Sequence, residues 1–176
     1  QNESSVFIYP NIKASYKVVG DILIAYAGAE GNLQQNSYAD FVDQNPFVSP
    51  TLFIVPTDNK FDIYAGLKGK LANTVAFNIK ASYLNQQDKA LFLNNDFDVT
   101  STNTEGYAYG NSFGIVYDNV KTMSLFGELK ADFSKNISFG INGTYNNYSS
   151  YSQVEAWNLP QLKFGSTLDF DINKKW

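Results

Sequence analysis

The side chains of this chain that could do chemistry are few, and their spacing is poor for it. Asp40 with Asp43, and Asp169 with Asp171, are carboxylate pairs of the kind glycosidases use as acid and base. Neither pair comes with any sign of a pocket. Asp96 and Asp98 beside Asn94 and Asn95 offer oxygens to a hard cation, but a calcium loop's glycine at the sharp turn and its closing glutamate are absent. Gly66, Gly69 and Lys70 fall short of a phosphate loop, because Tyr64 and Leu71 stand where Gly and Ser or Thr are required. The 176 residues include no Cys and no His. Disulfides, structural zinc and nucleophiles paired with histidine are therefore excluded. No enzyme activity, cofactor or metal is expected.

Charge narrows the partners. Thirteen basic residues stand against 17 acidic ones, which leaves no basic footprint for phosphate contacts, so no nucleic acid partner is expected. Hydrophobic residues make up 44% and aromatic ones 16%, too apolar a composition for a disordered tail. No apolar run approaches the ~18–20 residues of a spanning helix. Any membrane crossing would have to be made by strands.

The elements that must position these residues are visible in the period of the sequence. Phe61, Ile63, Ala65, Leu67, Gly69 and Leu71 alternate with Lys60, Asp62, Tyr64, Gly66, Lys68 and Lys70. After a turn at 72–74, Val75, Phe77, Ile79, Ala81 and Tyr83 alternate with Ala76, Asn78, Lys80 and Ser82. The same hairpin recurs around a turn at 134–136: Met123, Leu125, Gly127, Leu129, Ala131 and Phe133 lead in, and Ile137, Phe139, Ile141, Gly143 and Tyr145 lead out. An upstream pair turns at 19–21, and a last strand carries Leu162, Phe164, Leu168 and Phe170. This is period two throughout, in about seven strands.

Each strand keeps its alternation for about 10–13 residues, longer than the ~5–6 usual in globular proteins and enough to cross a hydrocarbon layer at a tilt. Three-residue turns interleave with long polar segments near 31–58, 85–111 and 147–160. An all-β fold of antiparallel transmembrane barrel strands, with short periplasmic turns and long extracellular loops, is expected. A soluble lipocalin-like ligand-binding barrel shows the same alternation with its apolar face turned inward. Two features favour lipid: Tyr9, Tyr16, Tyr26, Tyr64, Tyr83, Phe133, Tyr145 and Tyr148 fall mainly near strand ends, as an interfacial girdle would, and small residues punctuate the apolar face.

Several segments resemble those of TonB-dependent receptor barrels of Gram-negative outer membranes. They are Asn45-Pro46-Phe47-Val48-Ser49-Pro50-Thr51-Leu52 with Pro56-Thr57, Tyr64-Ala65-Gly66-Leu67-Lys68-Gly69, Gly110-Asn111-Ser112-Phe113 and Glu155-Ala156-Trp157-Asn158-Leu159-Pro160. The resemblance covers most of the chain. It implies a barrel of about 22 strands, a plug domain, a TonB-type energy-coupling protein, and energised uptake of a bound solute. No plug domain is identifiable in residues 1–176, so the chain is expected to be a partial barrel domain. The Trp176 end is consistent either with a final strand or with a turn before another.

On this reading Lys68, Lys70, Lys80, Glu128, Lys130, Asp132, Asp169 and Asp171 line the lumen, as ion-paired neighbours or as selecting charges. Tyr38, Phe41, Phe47, Tyr107, Tyr109, Tyr151 and Trp157 are the loop aromatics placed to meet a ligand or partner. Expected partners are outer-membrane lipid, a plug and its energy coupler in the intact chain, and a surface lipoprotein or other outer-membrane subunit. A non-transporting scaffold within an outer-membrane assembly is the alternative function.

Overall fold

The structure is a computed structural model that describes residues 6–20, 22–96 and 110–170. Seven strands form one antiparallel sheet in sequence order: β1 (Asn11–Val19), β2 (Leu23–Gln34), β3 (Thr57–Ala72), β4 (Val75–Asn94), β5 (Phe113–Ser134), β6 (Ile137–Ser150) and β7 (Leu162–Phe170). A single short helix, α1 (Tyr38–Gln44), interrupts the β2–β3 connection. The strands follow from the alternation, since a period of two puts every apolar set on one face and pins the register. Asp171, Tyr107 and Tyr109, with Asp98 and Trp176, lie outside the described residues.

Register joins the apolar sets row by row. One row reads Tyr16, Ala25, Leu67, Ile79, Gly127, Gly143 and Phe164, and the next contains Phe77, Leu129, Ile141 and Ser166. Most large side chains on this face are exposed, among them Leu67, Ile79, Met123, Leu129, Ile141 and Phe164. The apolar residues are thus gathered on one long face of the sheet.

The opposite face carries Lys17, Ile24, Lys68, Asn78, Glu128, Asn142 and Gly165 in one row. It corrects part of the girdle expectation: Tyr26, Tyr64 and Tyr148 belong to this polar face. Tyr26 pairs across strands with Gly66, and Tyr64 with Gly28. A Cβ on Gly66 would come within 2.5 Å of the Tyr26 ring, and one on Gly28 within 2.5 Å of the Tyr64 ring. The glycines are there so that the two rings can lie flat on neighbouring backbone.

Strand lengths also depart from expectation. β4 has 20 residues and β5 has 22, so residues 85–94, expected as the start of a long loop, are strand. The two rise past their neighbours as an arm, paired from Lys89–Asp118 to Asn94–Phe113. A bulge between Gln86 and Lys89, with Asp88 at φ 53°, adds one residue to β4 and exchanges its faces relative to its sequence parity. The buried core of Phe41, Val48 and Phe92 sits against this arm rather than in the body of the sheet.

Candidate functional site

The polar face below the arm is a wall of charges and rings. Glu30 accepts from the Tyr64 hydroxyl at 2.8 Å and from Lys13 Nζ at 2.9 Å. Tyr26 donates to Asn78 Oδ1 at 2.6 Å. Lys68 and Lys80, expected as ion-paired neighbours or as selecting charges, hold their ammonium groups 5.6 Å from the ring centres of Tyr26 and Tyr64. The ring faces attract these cations electrostatically, and Lys80 also lies within electrostatic reach of the Glu30 and Asp62 carboxylates. Lys130 does find a carboxylate, Asp169, at 3.5 Å, and Ser138 donates to the same group. Asp132 faces Ser138 in register, while Glu128 faces Asn78 and Asn142, and Lys70 faces Ala76. Higher up, an amide ladder runs across three strands, Gln86 to Asn59 at 2.7 Å and Asn59 to Asn32 at 2.8 Å.

The arm brings the remaining candidates together, and its two faces are covered by different loops. On the face that register shares with Met123 and Leu125, Phe113, Ile115, Ala90 and Phe92 meet the 35–56 loop. Phe41 of α1 stands edge-on to Phe92, their ring centres 5.9 Å apart. Ser37 caps the helix by accepting from Asp40 N. Val48 bridges to Phe113, and the Tyr117 hydroxyl both donates to Phe53 O and accepts from Val55 N. This clamp leaves Phe53 80% and Phe47 65% exposed. Tyr38 is exposed at the helix start, whereas Phe41, expected as a contact residue, is buried at 3% and serves as core.

The other face of the arm continues the polar wall and is covered by the 151–161 loop. Asp118, buried at 5% exposure, is its anchor. Its carboxylate accepts from Asn119 N (2.8 Å), from Ser152 N at both oxygens (3.0 and 2.9 Å) and from Gln153 N (2.8 Å). This part of β5 stands above the ~10 residues, counted from the short turn, that a hydrocarbon band would cover. Burial alone pushes the Asp118 carboxyl up, but the N–H groups of Gln153, Ser152 and Asn119 outweigh it and hold the group below its ordinary value.

The loop's far end is fixed as firmly. Asn158, at φ 65°, accepts from Phe92 N at 2.9 Å. Pro160 O accepts from Asn146 Nδ2 (3.2 Å) and the Tyr148 hydroxyl (3.1 Å). Leu91 and Val120, on the same face as Asp118, are fully buried. The loop folds around a space of about 610 Å³ lined by Tyr148, Glu155, Trp157, Leu159 and Pro160. Trp157 is half-buried in it, while Tyr151 projects, 84% exposed. Asp118, Asn158 and Tyr117 were not among the sequence candidates, although the unalternating apolar run Ala90-Leu91-Phe92-Leu93 signals a strand covered on both faces.

No family model and no curated protein matches the chain. Solved structures do. The pyoverdine outer membrane receptor FpvA from Pseudomonas aeruginosa, bound to pyoverdine, matches with a TM-score of 0.55 at 12% identity over 94% of this chain. The copper transporter OprC matches with a TM-score of 0.55 at 15% identity over 91% of it. The chain spans 22% and 24% of their respective lengths. At such identities the likeness is one of fold: the seven strands are built like a stretch of the wall of an outer-membrane receptor barrel.

Proposed function

We propose that the chain forms part of the wall of an outer-membrane receptor barrel, of the TonB-dependent kind, that takes up a bound solute in the intact protein. The apolar face meets lipid, and the polar face borders the lumen and a plug. Lys68, Lys70, Lys80, Glu128, Lys130, Asp132 and Asp169 line that passage. The two outer edges of the sheet, on β1 and β7, pair with further strands, because lipid does not tolerate unpaired backbone groups. The observation that carries the reading is the two-sided arm: the 151–161 loop folds over the polar face, toward the mouth, while the 35–56 loop folds over the other.

The test is accumulation of labelled chelates, beginning with copper and pyoverdine, the solutes named for the two similar structures. Cells producing the intact protein are compared with and without their proton-motive force. Force-dependent accumulation of one member of the set is expected. Its absence across the set replaces uptake with the scaffold reading, which the outward Phe47 and Phe53 favour as anchors for a surface lipoprotein or another barrel subunit.

A further inference from the structure

Lys89 belongs to the polar face only because of the bulge in β4. By sequence parity it continues Ile79, Ala81 and Tyr83 of the apolar face, but the extra residue between Gln86 and Lys89 brings it opposite Asp118, on the side that the 151–161 loop covers. A bulge is one of the ways a strand re-aims a side chain. This one is fastened in place. The Thr57 hydroxyl donates to Asp88 O at 3.0 Å, and Asn36 Nδ2 donates to Thr57 Oγ1 at 3.0 Å, with Thr57 buried at 1% exposure.

The ammonium turned inward in this way finds no carboxylate. Asp118 stands across from it in register, but that group is spent on the N–H groups of Asn119, Ser152 and Gln153. Lys163 of β7 shares the face, in one row with Lys80, Phe126 and Thr144. It follows the end of the loop by two residues, where Gln161 O accepts from Asn146 N at 2.7 Å. Lys89 is half-buried. Burial, and after it the nearby Lys163 ammonium, push the Lys89 amine below its ordinary value. Among the described residues neither lysine has an ion pair or a hydrogen bond. Two cations brought together, one of them partly withdrawn from water, are costly to keep unless an anion joins them. In the same loop the Trp157 indole N–H is buried without an acceptor, so donors are in excess here.

We propose that Lys89 and Lys163 form an anion site at the mouth, and that the solute it receives carries oxyanion groups such as carboxylates. Ammonium groups on flexible stems impose no planar fork on what they meet, so the site selects by charge. The proposal rests on the reading of the polar face as the lumen and deepens it by giving the solute a charge. The probe is citrate, a compact polycarboxylate. The intact protein, purified in detergent, is acetylated near neutral pH with an activated ester, in citrate or in chloride of equal ionic strength, and each lysine is followed by mass spectrometry. Citrate is expected to slow acetylation of Lys89 and Lys163 several-fold and to leave the exposed Lys121 and Lys135 unchanged. Lys163→Gln should abolish the protection of Lys89, and Lys163→Arg should preserve it. Equal slowing at every lysine means screening alone, and no slowing at Lys89 means no site; either result overturns the proposal. So does a Lys89 that resists acetylation in both salts, closed by burial or by a carboxylate from elsewhere in the intact protein. Protection needs neither energy nor transport. Its absence therefore leaves the uptake reading standing, and failure of every chelate to accumulate leaves the site standing.

Discussion

At the scale of single residues, Asp118 does what no candidate picked from the sequence does: it fastens a loop by its backbone. A buried carboxylate that takes up three residues' N–H groups leaves them unpaired when removed, at a cost of about 1–3 kcal/mol for such a loss. Asp118→Ala is expected to loosen residues 151–161 selectively, seen as faster amide exchange at Ser152 and Gln153, with the strands unchanged. Acid should act likewise. Because the native carboxyl titrates below its unfolded value, its contribution is fully present above the ordinary carboxylate range and is lost as the pH falls through the lowered native value. Loop protection in the Asp118→Asn variant should lack that acid step. If the variant and the wild type lose protection along the same pH curve, Asp118 is not the titrating anchor.

On the apolar face, position and exposure separate two neighbours. Ile79 is half-exposed toward the proposed lipid, and Lys80 points the other way over Tyr64. Arg at Ile79 should destabilise the intact barrel by about 2–4 kcal/mol if the site lies near the bilayer midplane, measured by denaturant unfolding in vesicles, whereas Lys80→Arg should be nearly neutral. Equal tolerance at both positions would reverse the assignment of faces.

Among the elements, β2 and β3 are joined by more than their hydrogen bonds. Two tyrosines each lie on the partner strand's glycine, so Gly66→Val must displace the Tyr26 ring, an overpacking cost of about 1–3 kcal/mol. Tyr26→Ala should relieve the ring's share of that penalty but not the contact with the Ile79 carbonyl oxygen, 2.6 Å from the same Cβ, giving a partly non-additive double-mutant cycle in unfolding experiments. Additive losses would mean that the ring is not held by the glycine.

The alternation made the strands and short turns legible, because a period of two states both an element and its faces. It was silent where that logic stops. Between Lys89 and Phe92 both faces of β4 are covered, so the residues no longer alternate and the segment reads as loop. The rings beside Lys68 and Lys80 were not legible either, because a sequence shows charges and not the side chains that register sets next to them. Asp118, between Tyr117 and Asn119, has nothing in its local sequence to mark it, since besides the adjacent Asn119 the groups it binds come from residues 152 and 153, beyond the next strand.

For the whole molecule, the short turns and the arm define two rims. Cys placed at Tyr151, the exposed tip beside the polar-face loop, should react with an impermeant maleimide on intact cells producing the full protein. Cys at Asn73, in the β3–β4 turn, should react only after the outer membrane is opened. The reverse pattern would invert the orientation of the wall while leaving the sheet as described.

The arm's two coverings also separate two kinds of evolutionary change. Residues 35–56 and 151–161 are held to opposite sides of the same pair of strands, by Phe41, Val48 and Tyr117 on one side and by Asp118, Asn146 and Asn158 on the other. On the proposed orientation, drift at Phe47, Phe53 or the exposed rim of α1 alters what an antibody or a bacteriophage meets from outside. It leaves untouched the contacts that shape the mouth. On the proposed uptake reading, a lineage under attack from without can therefore change its appearance and keep its diet.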